Sequence, residues 1–209
     1  MDSVTQAPLL ERIAASPLNY WATLVTDLVV AMTFAGLGAK GYHGSPAGAM
    51  ALVLAGIVGW PLLEYALHRW LLHGRWSKAF RKEHARHHGD PQAVAGTPWL
   101  ASASLALAIW FVLTAVMSGP GAALVMAGVY AGYIYFVVVH YLQHYHSQWM
   151  ERWWFYGNQM HFHERHHDLP HSHFGITTSI WDRVFGTFDV ELPSRFLEHD
   201  EVVVERPGS

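Results

Sequence analysis

The sequence predicts an all-α integral membrane protein, about four transmembrane helices carrying a cytoplasmic, histidine-rich helical cap. Three observations lead there. Charged residues are 14% of the 209, while hydrophobic ones reach 52%; soluble globular domains carry roughly 25% charged residues. Four apolar stretches approach the ~20 residues that an α-helix needs to cross a bilayer. Finally, most of the sixteen histidines gather at the ends of two of those stretches and in the polar segments that follow them.

The length suits a single unit. The expected organisation is an N-terminal interfacial segment over 1–18, one membrane domain over 19–189 and a C-terminal tail over 190–209. The opening "MDSVTQAPLLERIAASP" lacks the basic start and apolar core of a cleavable signal. A net charge of −3 offers no basic face for nucleic acid, which is excluded as a partner. With no cysteine there is no disulfide, thiolate site or ordinary iron–sulfur cluster, so any metal must be held by His, Asp or Glu.

The four stretches lie at about 19–39, 47–72, 98–118 and 121–142. The first is interrupted only by Asp27, and the third has no charge. The second and fourth begin apolar and finish in His and Glu, so their final turns must leave the lipid or face protein. Basic residues flank one side: Arg75, Lys78, Arg81, Lys82 and Arg86 between spans two and three, then Arg152, Arg165, Arg183, Arg195 and Arg206 after span four. The positive-inside rule puts both termini and the histidine-bearing ends in the cytoplasm.

The histidine spacing carries chemistry. At ~100° per residue, His87 and His88 of "HARHH" fall within about 60° of His84, so the three fan one way. "HERHH" repeats the fan with His163, His166 and His167, and His140 and His144 of "HYLQH" share a helix face at i,i+4. In "HRWLLH", His68 and His73 diverge by roughly 140° on a regular helix; either the helix ends between them or they serve different metals. A lone histidine such as His43 or His199 reads as a surface or hydrogen-bonded residue. Ten imidazoles on one membrane face exceed the three or four protein ligands of one metal. Two metals are the natural count, ligated by His68, His73, His84, His87, His88, His140, His144, His163, His166 and His167.

"EYALHRWLLHG", "HARHH", "HYLQH" and "HERHH", followed by "FGITTSIWDRVFGT", resemble in order and spacing the fatty acid hydroxylase/sterol desaturase superfamily of membrane di-iron enzymes. The resemblance runs from about Glu64 to Thr187, and its closing motif looks most like the fatty acid 2-hydroxylase branch. It implies a membrane bundle under a cytoplasmic helical layer, two iron ions held by the clustered histidines, and O2 as co-substrate. The reaction implied is hydroxylation of an unactivated C–H bond of a lipid. Histidines near the headgroup boundary favour C2 of a fatty acyl chain. Eukaryotic acyl hydroxylases often carry a fused cytochrome b5 domain, for which this chain has no room, so electrons are expected from an external donor: a cytochrome b5-like protein, a ferredoxin or a reductase. His171 and His173 stand where relatives have other polar residues, commonly Asn before the aromatic–Gly pair. They, with His146 and His161, carry no assigned role.

Imidazole suits iron but also zinc, copper and nickel, and zinc is an alternative occupant of the purified protein. Iron is expected because redox-inert zinc does not activate O2. Ligating histidines donate their other ring N–H to a carboxylate or carbonyl. Glu64, one turn before His68, and Asp182 are the candidate supports, with an Arg ion pair as the alternative for Asp182. Trp70, Tyr141, Phe162 and Trp181 are candidates to line an acyl pocket or to form an interfacial belt. The alternative functions are a lipid or sterol desaturase or carotenoid ring hydroxylase of the same metal class and, lower, a metal transporter or zinc hydrolase.

Overall fold

The computed structural model describes residues 16–91 and 99–189. The described helices are α1 (Pro17–Gly41), α2 (Pro46–Ala66) running directly into a π-helical turn, π1 (Leu67–Leu72), then α3 (Lys78–Gly89), α4 (Trp99–Leu113), α5 (Gly119–Tyr145), α6 (Ser147–Met150), α7 (Trp154–Asp168) and α8 (Ile180–Phe185). No strand occurs among the described residues. Of the expected interfacial segment only Ser16, Pro17 and Leu18 are described, and the tail 190–209 lies outside the described residues.

Serine hydroxyls start the long helices. Ser16, Ser45, Ser77 and Ser118 accept from the backbone N–H three residues on, at Asn19, Gly48, Phe80 and Gly121. Each satisfies an orphan donor of the first turn, and proline follows within two residues at α1, α2 and α5, where its missing N–H costs nothing. Among the described residues, three helical segments are long and apolar enough to cross a membrane: Trp21–Gly41, Pro46–Leu72 and Gly119–Tyr145. The third expected span is shorter than predicted. Its helix ends at Leu113, and Ala115 and Val116 then donate to carbonyls three residues back, at Val112 and Leu113, tightening the chain toward the Ser118 cap. Its 15 residues extend about 22 Å, against a hydrocarbon core of about 30 Å.

Glycine sets how closely the two histidine-bearing helices approach. A Cβ at Gly56 would lie 2.1 Å from the Val125 carbonyl oxygen, and one at Gly128 would lie 2.0 Å from that of Val53. Only hydrogens fit between α2 and α5 there, the close contact that small residues permit in membranes. Gly56 and Gly128 each precede the first histidine of their helix, His68 and His140, by the same twelve residues. The contact therefore brings both histidine ends out level.

Helix α1 holds α4 by polar ties. Asp27, buried in the bundle rather than facing lipid, accepts from the Ser102 hydroxyl at 2.7 Å, and Asn19 accepts from the Trp99 backbone N–H at 3.0 Å. Phe34, Ala106, Ala123, Met126 and Tyr130 close the apolar core between α1, α4 and α5. Helices α3 and α7 lie across the ends of π1 and α5, where their histidine rings meet.

Candidate metal centre

Ten histidines converge in two groups of five, and within each group one nitrogen per residue lies within 4.8 Å of all the others. Group one is His68, His73, His84, His88 and His166; group two is His87, His140, His144, His163 and His167. These are the ten residues singled out by spacing. The grouping differs from one fan per metal: α3 sends His84 and His88 to group one and His87 to group two, while α7 sends His166 to group one and His163 and His167 to group two. Adjacent residues point about 100° apart on a helix. Each "HxxHH" motif therefore straddles both groups.

The His68–His73 spacing resolves in a way neither expectation covered. The helix neither stops nor divides the pair between groups. It widens into π1, where the His73 N–H donates to the His68 carbonyl at 3.1 Å. A π turn holds one residue more than an α turn, so positions five apart stack on one face, and the two rings lie 5.1 Å apart between centroids.

The nitrogens are arranged for a cation. His84 Nε2 faces His68, His73 and His88 Nε2 at 2.9, 2.8 and 3.1 Å, yet one nitrogen carries at most one proton. His68 and His166 give Nδ1 to the carbonyls of Phe174 and Ser172, each at 2.6 Å. A carbonyl only accepts, so Nδ1 holds the proton and Nε2 presents a lone pair. In group two, His144 Nε2 faces His140 and His163 Nε2 at 3.0 and 2.9 Å. Ligands about 2.1 Å from one metal lie about 3.0 Å apart at right angles and about 3.4 Å apart at a tetrahedral angle. The observed spacing fits five- or six-coordination better than a tetrahedral site.

Protonation is disfavoured throughout. Burial, with smaller contributions from nearby imidazoles, lowers His73 to about 4, His87 to about 3 and His167 to about 2. The same causes hold His84, His163 and His166 far below the ordinary histidine range, and burial lowers His88. Neutral rings with free lone pairs are what a metal requires.

The carboxylates act one step further out than expected. Glu64 accepts from the Ile176 and Thr177 backbone N–H at 2.6 and 2.9 Å, the Thr177 hydroxyl at 2.6 Å and Trp60 Nε1 at 3.0 Å. Asp182 accepts from the N–H groups of Phe174 and Gly175 at 2.7 and 2.9 Å and from the Thr187 hydroxyl at 2.8 Å. Both pin the loop 172–177, and that loop's carbonyls orient His68 and His166. The Arg partner considered for Asp182 is not what holds it; Arg165 pairs with Asp189 at 2.9 Å. Phe174 adds its ring against His68, His73 and His166.

His173 stays out of both groups. Its ring stacks on Phe162 at 5.1 Å, and its Nε2 lies 2.9 Å from the Asp189 carbonyl oxygen. Its φ of 52° is left-handed, a conformation that glycine and asparagine adopt more readily. It sits between the two carbonyls that orient the ligands. His146 and His171 are exposed, and His161 lies 3.7 Å from Glu164.

A cavity of about 590 Å³ opens on His68 and His84 and runs between α2, π1, α4 and α5, with Trp60, Phe80, Leu105, Val129, Tyr133 and Phe136 among its walls. The aromatic lining differs from that proposed from sequence. Trp70 and Tyr141 are exposed, Phe162 packs on His173, and Trp181 lies near Phe185. Much of the lining, Trp60 on α2, Leu105 on α4 and Val129, Tyr133 and Phe136 on α5, lies outside the histidine motifs.

The family model described as fatty acid hydroxylase matches residues 53–187. A dihydroceramide fatty acyl 2-hydroxylase of Arabidopsis thaliana is 33% identical over 143 residues, 65% of this chain and 60% of the relative. A fatty acid 2-hydroxylase of Rattus norvegicus is 28% identical over 149 residues, 66% of this chain and 39% of the relative. The chain thus spans less than two thirds of the length of these relatives. A solved structure of full-length scs7p, of which only the hydroxylase domain is visible, superposes with a TM-score of 0.71 at 26% identity, covering 89% of this chain and 73% of that one.

Proposed function

The chain belongs to the fatty acid hydroxylase family, and from that premise we propose that it is an O2-dependent lipid hydroxylase acting at C2 of a fatty acyl chain. The observation that carries the reading is the pair of five-histidine groups, one of which opens on an apolar cavity. The ten histidines are the metal ligands, five to each ion. Iron bound there would supply the reductive activation of O2 that an unactivated C–H bond requires.

The chain's own residues do the rest. The cavity takes an acyl tail: its α5 wall from Met126 to Phe136 ends one turn before His140, so the tail lies on the membrane side of the histidines and the carbonyl end stays at the polar end. Carbons beside that carbonyl are then presented to His68 and His84. Apolar walls exclude water from the reacting carbon, which protects reactive species from side reactions. One oxygen atom enters the C–H bond and the other leaves as water, with two electrons and two protons from an external donor such as a cytochrome b5-like protein, ferredoxin or reductase. The basic residues beside the histidine-bearing ends support a cytoplasmic site, with α4 as a fourth, short span over which the bilayer thins.

The test is product analysis. Membranes containing the protein, supplied with labelled O2, a reductant system and long-chain acyl lipids, are expected to yield a 2-hydroxyacyl product carrying one labelled atom. A mid-chain double bond, a hydroxylated carotenoid ring or label arriving only from water would overturn the assignment.

A further inference from the structure

We infer that Gln159 is a positioning residue for group two: its side-chain carbonyl takes the Nδ1 proton of His163 and so turns that ring's Nε2 lone pair onto the ion. The inference rests on the metal reading above and deepens it.

Group one shows how this protein supports a ligating ring. His68 and His166 each hand Nδ1–H to a backbone carbonyl, which fixes tautomer and orientation together. In group two the Nδ1 atoms of His163 and His167 are buried with no such carbonyl beside them. His163 Nε2 stands 2.9 Å from His144 Nε2, so its proton belongs on Nδ1. That Nδ1 is buried and has no partner. Gln159 lies one turn earlier on α7 and is 6% exposed, with its carbonyl oxygen also buried and unpartnered.

A buried donor and a buried acceptor, each costly to leave unmade, therefore sit four residues apart on one helix. Helical side chains lean toward the N-terminus, so the ring at position 163 lies over position 159. A turn of the glutamine side chain satisfies both atoms. Among the described residues, Gln143 of α5 is the other buried amide without a partner. It lies on a different helix and lacks this one-turn relation to His163.

The test uses the full chain in detergent, stripped of metal and titrated with Zn2+ against a competing chelator. Wild type is expected to bind two ions. Gln159→Leu should weaken one of them 10- to 100-fold, the usual range for losing such an outer partner, and leave the other unchanged as an internal control for folding. Gln159→Glu, which keeps the acceptor, should restore the affinity. In a His73→Ala/His84→Ala background, which strips group one, the surviving ion should show the full effect. Wild-type binding of both ions by Gln159→Leu, equal weakening of both, or loss in Gln143→Leu instead would overturn the inference while leaving the metal reading intact. A wild-type chain that binds fewer than two ions would overturn the metal reading and the inference with it.

Discussion

Group one draws His68 and His73 from a π turn, His84 and His88 from α3 and His166 from α7; group two draws His140 and His144 from α5, His87 from α3 and His163 and His167 from α7. The counts match, but the construction does not. Group one needs an irregular backbone to present two of its rings, and a loop clamped by Glu64 and Asp182 to orient two of them. Group two is made from regular helices. His140 stacks on Phe136 at 5.5 Å, and the Nδ1 atoms of His163 and His167 are buried without partners. Group one alone contributes to the cavity wall, through His68 and His84. The more elaborately supported group is thus the one beside the cavity assigned to substrate, where ligand orientation bears most directly on which carbon is presented.

Changing the π turn should separate the groups most sharply. Inserting an alanine after Trp70 lengthens the His68–His73 spacing to six and is expected to drop metal content from about two ions per chain to about one, with activity falling to background. Deleting Trp70 is expected to keep the pair aligned. Spacing four in an α turn again places both rings on one face, so two ions should be retained. Loss of an ion on deletion, measured by elemental analysis of purified protein, would mean that the π turn is not what aligns the pair.

The loop clamp gives the next largest effect. Asp182→Ala leaves the N–H groups of Phe174 and Gly175 without their acceptor, at about 1–3 kcal/mol each, and should lower the thermal midpoint. It should weaken the group-one ion roughly 10- to 100-fold and spare group two. Equal loss from both groups in a Zn2+ titration would show that the loop supports the whole polar end rather than one site.

Val129→Phe narrows the deep end of the cavity without touching a histidine. Metal content should stay at wild type, while conversion of the longest acyl chains falls about tenfold or more against shorter ones, the scale of a methylene or two misfitting in an apolar pocket. An unchanged chain-length profile, read by mass spectrometry, would place the acyl tail elsewhere. The smallest effect belongs to His43→Ala. His43 is exposed in the turn between α1 and α2, at the far end of the bundle, and its loss should leave both ions bound and shift stability by no more than about 0.5 kcal/mol.

Much of the site was legible because its signals are local. The 3.6-residue period pairs His140 with His144, and hydropathy finds the long spans. The absence of cysteine left imidazole and carboxylate as the metal-binding side chains. The "GITTSIWDRVFGT" segment was legible as a motif but not as a device: its amides and Asp182, with Glu64 from 112 residues earlier, build the platform under group one. Gln159, the proposed partner of His163, was not legible: its only signal is a glutamine one turn before that histidine, and burial alone makes it meaningful.

By itself, then, the sequence picked out the ten histidines that gather at one end of a membrane bundle, because composition and helical period depend on neighbours a few residues away. Tertiary structure decided how those residues are shared out. Whether His87 and His88 fall in one group or two depends on which helix faces each side of α3, and a single residue's widening of the turn at Leu67–Leu72 returns His73 to the face of His68. The cavity likewise arises between α2, α4 and α5, from side chains that read one at a time as ordinary membrane-helix residues. Such choices depend on packing between segments far apart in the chain, where close contacts such as Gly56 on Gly128 set the register and local periodicity carries no record of the partner.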